Sequence, residues 1–247
     1  MFIRSICAIF AVLILAVPAQ AQVKWSIDFE TGLAISGYND VRIPGNTGTL
    51  FSLSEELNAE TRFFGRVRIN YHAGEKHILS LLAAPLRINS DGEIDRTVQF
   101  AGEEFDAGTP LEARFRFDSY RFTYRYRLYK NDKLTLGLGV TAKIRDAAIT
   151  VWGGGVTGQK KNVGFVPLIN FRADWQVWKR ACLRLEGDAL AAPQGRAEDV
   201  LLAIYINSSE KTHFKVGYRL LEGGADNDEV YTFSWVNYIV IGTVWRL

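Results

Sequence analysis

The sequence predicts an all-β protein that forms a single closed antiparallel transmembrane β-barrel of about ten strands. Three observations lead to this prediction. Short segments alternate apolar and polar residues with a period of two, as in a strand with one apolar face. The connections between them are short and long in turn, which is typical of barrels with short periplasmic turns and longer extracellular loops. The N-terminus has the features of a cleavable export signal.

Residues 1–21 are interpreted as a secretory signal peptide and residues 22–247 as the barrel domain. A basic n-region ends at Arg4, an apolar run covers Ile6–Val17, and Pro18–Ala21 supplies an A-x-A cleavage site. A transmembrane anchor is disfavoured because the run is shorter than the ~20 residues that a spanning helix needs. The mature chain then has 226 residues (247 − 21). Its formal net charge is +1, because removal of Arg4 takes one positive charge from the +2 of the full chain. This near-neutral charge predicts no nucleic-acid partner.

Ten segments carry the alternation. In the first of them, Trp25, Ile27 and Phe29 share one face while Ser26 and Asp28 share the other. The other nine repeat this pattern and are rich in β-branched and aromatic residues, which favour strands. The predicted strands are Trp25–Ser36, Glu60–His72, His77–Ala84, Ala113–Tyr129, Leu134–Arg145, Gly164–Trp178, Cys182–Ala191, Val200–Asn207, Thr212–Leu221 and Tyr231–Leu247.

Two of these strands are irregular. The third is apolar on both faces, which leaves eight strands as the alternative. Pro85 follows it and is expected at the barrel rim, because proline cannot donate to a hydrogen-bond ladder. In the fourth strand the aromatic residues change phase at Asp118-Ser119, since Phe117 and Tyr120 belong to opposite alternations. We expect a β-bulge at that point.

Turns of about four residues or fewer follow the even-numbered strands, and longer polar connections follow the odd-numbered ones. The long loops are expected at Gly37–Asn58, Ile88–Leu111 and between Arg145 and Gly164. Ser52–Leu57 could form one helical turn in the first of them. Shorter outer loops are expected at Ala192–Glu198 and Gly223–Glu229. An even number of strands places both termini on the same side.

Alternation alone does not say which face is inside, because a soluble lipocalin-like periplasmic carrier would bury the apolar face. Two features favour lipid on the apolar face. Small residues alternate with long arginines on the polar face, as a narrow lumen requires and a water-exposed face does not. Aromatic residues at the strand ends near the short turns form a girdle typical of a membrane interface. The girdle residues are Trp25, Tyr71, Tyr126, Trp175, Phe214 and Trp245.

The C-terminal segment Gly242–Leu247 carries a third feature. It resembles the terminal assembly signal of bacterial outer-membrane barrels, in which a glycine precedes an aromatic residue and a final apolar one, although the last residue here is Leu247 and not aromatic. The resemblance implies the outer membrane of a Gram-negative bacterium. The partners expected there are outer-membrane lipid, lipopolysaccharide and the outer-membrane assembly machinery.

The polar faces then line an arginine-rich lumen. Paired charges could fill it as a structural plug, and surplus cations could form a narrow path that prefers a small anionic solute. A wide porin is not expected from ten strands. The predicted lumen charge network is Asp28, Glu30, Arg62, Arg66, Arg68, Arg121, Arg125, Arg127, Arg172, Asp174, Arg184, Glu186, Asp188 and Arg219. Glu60, Lys143, Arg145 and Lys215 complete a lumen set of twelve cations and six anions.

An enzyme is the second class of function considered. Ten-stranded outer-membrane barrels include the omptin proteases, and smaller ones include lipid A deacylases and palmitoyl transferases, so the similarity is one of architecture and not of motif. Those enzymes act at the outer rim and typically use a histidine there. This chain has His72, His77 and His213, all predicted near periplasmic turns. We assign no catalytic residue, cofactor or metal, and the enzyme question stays open, leaning to no.

One stretch of sequence resembles a known group of proteins. Leu185–Asp199, with Gly217–Arg219 and Glu222–Asp226, is similar to patterns in small outer-membrane barrels of an uncharacterised family, and this implies no activity. The charged residues of these segments are expected to meet at the outer mouth in an ion-pair network. An outer-rim enzyme or binder acting on lipopolysaccharide or another surface ligand is therefore the alternative function. The outer-mouth candidates are Asp188, Arg196, Asp199, Arg219, Glu222 and Asp226.

Overall fold

The computed structural model describes residues 24–193 and 195–247, so the predicted signal peptide lies outside the described residues. Within these two ranges no helix is long and apolar enough to cross a membrane. The strands are β1 Lys24–Arg42, β2 Phe51–Ser52, β3 Asn58–Ala59, β4 Arg62–Ala73, β5 His77–Ala84, β6 Arg87–Glu93, β7 Val98–Phe100, β8 Glu103–Phe105, β9 Pro110–Lys130, β10 Leu134–Gly153, β11 Val156–Trp178, β12 Ala181–Ala192, β13 Gly195–Asn207, β14 Thr212–Asp226 and β15 Tyr231–Arg246.

Ten of these strands form one closed antiparallel barrel. Each is hydrogen-bonded to its neighbours in the order β1, β4, β5, β9, β10, β11, β12, β13, β14 and β15, and β15 pairs with β1 again. Closure leaves no open edge, which lipid requires because it offers the backbone no hydrogen-bond partners. The predicted ten-stranded fold is confirmed, and the eight-stranded alternative is wrong.

The irregular third strand is interrupted at Pro85. β5 ends at Ala84 and pairs with the middle of β9, whereas β6 begins at Arg87 and pairs with the first part of β9. In the gap, the Leu86 N–H donates to Oδ1 of Asp118 over 3.2 Å. Pro85 therefore lies at a break within the wall, where no ladder bond is needed, and not at the rim.

The two ends of the barrel differ only in part as predicted. The first two outer connections are long, but the other three have four residues or fewer, and strand occupies most of the loop expected at Ala192–Glu198. At the periplasmic end, β4–β5, β9–β10, β11–β12 and β13–β14 are joined by turns of four residues or fewer. At the outer end, the loop expected between Arg145 and Gly164 is instead strand, because β10 and β11 stay paired as far as Gly153 and Val156. Gly154 and Gly155 alone make the turn, with φ values of 57° and 80° that suit a tight hairpin.

Apolar side chains face outward around the membrane section of the barrel. Leu81, Val140 and Phe165 are 59%, 62% and 67% exposed, as expected of side chains that contact hydrocarbon. At the periplasmic rim Trp25 packs against Tyr71, with ring centroids 4.9 Å apart and the rings tilted by 57°. Such aromatic rings mark the membrane interface.

Toward the outer end, beyond this section, apolar side chains face the inside of the barrel and no longer face outward. Phe115 faces inward and is 6% exposed, and the inward side continues through Ser119, Arg121 and Thr123 on the same odd-numbered face of β9. The pairing of β9 with β10 is unbroken across Asp118-Ser119, so the bulge expected there is wrong. The phase change has another cause: outside the lipid, water contacts the outer face and apolar residues pack inside.

A small apolar core closes over part of the outer end. We call this element the cap; it comprises residues 43–61 and 94–109, with β2, β3, β7 and β8. The Phe51 and Phe100 rings pack edge to face at 5.8 Å and are almost fully buried. The Leu57 N–H donates to the Ser52 carbonyl, and Ser52–Leu57 forms successive turns in place of the expected helical turn.

Candidate functional site

Eight charged side chains meet in the middle of the lumen. The Asp199 carboxylate accepts from Arg66 over 3.0 Å, from Arg121 over 2.6 Å and from Arg219. Because strands β4, β9, β13 and β14 supply these residues, one carboxylate joins opposite walls of the barrel. We call the group the central cluster; it consists of Asp28, Glu30, Arg66, Arg121, Asp188, Asp199, Lys215 and Arg219.

Glu30 and Asp188 extend the cluster. Glu30 accepts from Arg219 and from Lys215, each over 2.7 Å, and Asp188 accepts from Arg121 over 2.7 Å. Each of these side chains is at most 7% exposed. Four cations face four carboxylates, so the cluster is formally neutral, as buried charges require.

The strand register explains how the sequence builds this cluster. Inward positions alternate long charged residues with glycine, which leaves room for the side chain opposite. A Cβ on Gly137 would lie 2.9 Å from Cδ of Arg125, and one on Gly242 would lie 2.7 Å from Cε of Lys215. The small residues predicted to accommodate arginines in the lumen therefore lie against long cationic side chains.

The central cluster separates two cavities. The periplasmic cavity has a volume of about 340 Å³ and opens toward the short turns. The outer cavity has a volume of about 650 Å³ and lies beside the cap, between β9–β11 and β13–β15. Paired charges thus lie between the two cavities of the lumen.

Lys143 lies in the wall of the outer cavity. It is 2% exposed, and its Nζ is 4.7 Å from the centroid of the Phe117 ring. Arg145 lines the same cavity and donates to the amide oxygen of Asn162. Among the described residues neither cation has a carboxylate within ion-pair distance, and residues 1–23 and Gln194 contain no Asp or Glu.

The outer-mouth candidates divide into two groups and one isolated residue. Asp188, Asp199 and Arg219 belong to the central cluster, deep in the lumen. Arg196, which is half-exposed, pairs over 2.7 Å with the buried Glu222 beside the outer cavity, where Glu222 also accepts from the Tyr38 hydroxyl over 2.6 Å. Asp226 is exposed at the end of β14. The predicted single network is therefore not formed.

The predicted lumen residues lie inside the barrel, apart from Glu60, which belongs to the cap, and Arg62. That residue begins β4, beyond the point where β4 pairs with β5, so its side chain is 46% exposed and contacts Glu60 over 3.4 Å. Lys143 and Arg145 line the outer cavity. The remaining lumen residues outside the central cluster line the periplasmic cavity. These residues are Arg68, Arg125, Arg127, Arg172, Asp174, Arg184 and Glu186.

The three histidines lie beside the short turns. His72 and His213 line the periplasmic cavity. His77 is on the outside of the wall, where its Nδ1 is 2.9 Å from the Tyr124 hydroxyl. The outer cavity therefore has no histidine among its described lining residues.

The central role of Asp199 was missed because strand eight was predicted to begin at Val200, which left Asp199 outside the strand, next to the loop expected at Ala192–Glu198. Asp199 shares its inward face with Leu201, Ala203 and Tyr205, so extending the alternation by one residue would have placed it in the lumen. No sequence pattern shows that Lys143 lacks a carboxylate partner, because this depends on which carboxylates the other strands place near it.

Comparisons with known proteins agree with the fold. Neither protein-family models nor curated proteins give a match. The outer-membrane protease OmpT of Escherichia coli has a similar structure, with a TM-score of 0.57, 9% identity, and coverage of 91% of this chain and 97% of that one. The translocator domain of the autotransporter NalP of Neisseria meningitidis gives a TM-score of 0.45 and 12% identity, covering 99% and 97%.

Fold and surface together fix the class of protein. The barrel is closed, its outward band is apolar, its lumen is charged, and its two long connections both lie at one end. The soluble carrier considered as an alternative would show the reverse distribution of apolar and charged side chains. The chain is an integral β-barrel protein of a Gram-negative outer membrane, with buried charged residues inside the barrel.

Proposed function

We propose that this protein is a non-conducting barrel whose outer cavity binds an amphiphilic organic anion at the cell surface. The observation that carries the proposal is Lys143, a buried cation that lines a cavity and has no carboxylate partner among the described residues. A buried charge without a partner is costly, and an anionic ligand would supply the missing partner.

The central cluster supports the non-conducting part of the proposal. An anion-preferring pore needs cations that are free to attract a passing solute. In the middle of this lumen Arg66, Arg121 and Arg219 are all held by carboxylates and are buried. Ion pairs of this kind fill the cross-section between the two cavities, which favours a closed lumen over a narrow pore.

The walls of the outer cavity indicate the class of ligand. Phe115, Phe117 and Val166 provide an apolar side, while Lys143 and Arg145 provide positive charge. The cavity is also lined by two ion pairs, Arg196–Glu222 and Lys160–Glu229, and by Asp228. Its volume of about 650 Å³ lies in the usual range for small-molecule sites. A carboxylate or sulfonate attached to an aromatic or alkyl body would match both sides of this cavity.

A binding measurement tests the ligand part. The protein is placed in lipid nanodiscs, and 2-naphthoate is titrated by calorimetry beside the neutral 2-naphthamide. We expect saturable binding of the acid, weaker binding of the amide, and at least a tenfold loss of affinity in Lys143→Met, because a charge-assisted hydrogen bond contributes about 1.5–3 kcal/mol.

The control is Lys161→Met, which removes an exposed lysine on β11 and should leave binding unchanged. Equal affinity of Lys143→Met and the unchanged protein would overturn the proposed site. Single-channel recording in planar bilayers tests the other part: we expect no discrete steps, and reproducible anion-selective steps would restore the pore.

A further inference from the structure

The periplasmic cavity has an excess of positive charge. Seven cationic side chains and three carboxylates line it, together with polar groups and the two histidines. The cations are Arg68, Arg125, Arg127, Lys130, Arg172, Arg184 and Arg246. The carboxylates are Asp28, Asp174 and Glu186. The formal excess is therefore four positive charges (7 − 3), in contrast to the neutral central cluster.

The three carboxylates are already engaged. Asp28 pairs with Lys215 of the central cluster. Asp174 accepts from Arg184 over 2.5 Å and from Arg172 over 2.8 Å. Glu186 is the third, and its ion-pair contacts are longer, 3.7 Å to Arg125 and 3.9 Å to Arg172.

Three arginines remain without a carboxylate in the part of the chain that the structure describes. Arg68, Arg127 and Arg246 form no ion pair within 4.0 Å there, and residues 1–23 and Gln194 contain no acidic residue that could provide one. Nη1 of Arg68 is buried and has no hydrogen-bond partner in the described residues. Like charges gathered in one cavity repel one another, so a bound anion would lower the free energy of this arrangement.

We infer that the periplasmic cavity is a separate binding site for a small phosphate-bearing polyanion. The guanidinium group is planar and matches phosphate oxygens with paired hydrogen bonds, and three such groups without partners suit more than one negative charge. The volume of about 340 Å³ is enough for a small polyanion. The ligand is therefore the size of pyrophosphate or a sugar phosphate and enters from the periplasm.

The test uses inorganic pyrophosphate as the probe, with the full barrel in phosphatidylcholine nanodiscs and calorimetry as the readout. We expect one site per chain, affinity that falls as salt rises, and weaker binding of singly charged acetate. The affinity should drop by roughly tenfold or more in Arg68→Gln and in Arg127→Gln, since each removes a charge-assisted contact. Arg62→Gln is the matched control, because Arg62 is on the same strand as Arg68 but outside the cavity.

The outcomes separate this site from the proposed outer site. Lys143→Met should leave pyrophosphate binding unchanged. If Arg68→Gln and Arg127→Gln bind pyrophosphate as well as Arg62→Gln does, the inference is overturned, whatever the naphthoate result. Nanodiscs that contain phosphatidylglycerol distinguish two sources of phosphate: competition with pyrophosphate there assigns the site to a lipid headgroup, and undiminished binding assigns it to a soluble anion.

Discussion

Asp199→Asn is the substitution that tests the central cluster most directly. It keeps the shape of the side chain and removes its charge. In the intact protein this carboxylate contacts Arg66, Arg121 and Arg219, and all four side chains are at most 5% exposed. The substitution changes a balanced set of four cations and four carboxylates into one with an uncompensated buried positive charge.

The expected cost follows from the burial and the number of contacts. Removing one partner of a buried ion pair typically destabilises a protein by about 3–5 kcal/mol. Asparagine can still accept hydrogen bonds from the arginines through its amide oxygen, so we expect the lower end, about 3 kcal/mol. Asp199→Ala removes the acceptor as well and should cost about 5 kcal/mol.

The assay is reversible urea unfolding of the refolded barrel in lipid vesicles, followed by tryptophan fluorescence. Asp226→Asn is the control: this carboxylate is exposed on the neighbouring strand, and the change should stay within about 0.5 kcal/mol. A cost below about 1 kcal/mol for Asp199→Asn, the range of exposed pairs, would show that the cluster is hydrated and that the reasoning is wrong.

Three further predictions concern other parts of the chain. Hydrogen bonds from Arg96 hold the pKa of Glu56 in the cap below its usual 4.5, so this carboxylate stabilises the cap above pH 4.5 and loses its effect as the pH falls through the lowered value. Glu56→Gln should therefore speed hydrogen exchange in residues 43–61 at pH 7, and the difference should vanish in acid. Gly139→Ala should cost about 1–3 kcal/mol in urea unfolding, because its Cβ would lie 2.0 Å from a backbone oxygen, whereas Gly65→Ala should be neutral. Phe100→Ala should cost about 3–5 kcal/mol locally and speed exchange in the cap while leaving the barrel strands protected.

Each of these has an outcome that would contradict it. For Glu56→Gln it is a difference in exchange that persists unchanged below pH 3. For Gly139→Ala it is a midpoint equal to that of Gly65→Ala, which would mean that the two strands can move apart freely. For Phe100→Ala it is an exchange pattern in the cap that matches the unchanged protein.

The fold was largely predictable from the sequence because lipid imposes a strict alternation on each membrane strand. The period of two in β1, β10 and β14 was readable without any tertiary information. The alternation fails as a guide above the membrane, where water replaces lipid outside the wall. Phe115 and Phe117 follow the same inward face as Arg121, and only the change of surroundings made them resemble a slipped register.

The candidate site was less predictable, since pairing depends on contacts across the lumen. Sequence spacing places Arg121 inside, and extending strand eight by one residue would place Asp199 there as well. Neither observation says that the two side chains touch, because their strands are on different sides of the barrel. The same limit hid the isolation of Lys143. The predicted contacts with lipopolysaccharide and the assembly machinery stay predictions.

The level at which the wall changes its outward character also fixes the immersion depth of the protein. Arg116 on β9 and Lys161 on β11 are level with each other, since both pair with Ala148 of the strand between them, and both lie above Phe165. If the barrel moved deeper into the membrane, Arg116 and Lys161 would enter the hydrocarbon, which costs up to about 2–4 kcal/mol for each charged side chain near the midplane. If the barrel moved outward, Phe165 would be exposed to water. A thinner or thicker bilayer must therefore change its own thickness around the barrel, because the barrel keeps its depth in the membrane. The protein thus sets the local thickness of the outer leaflet.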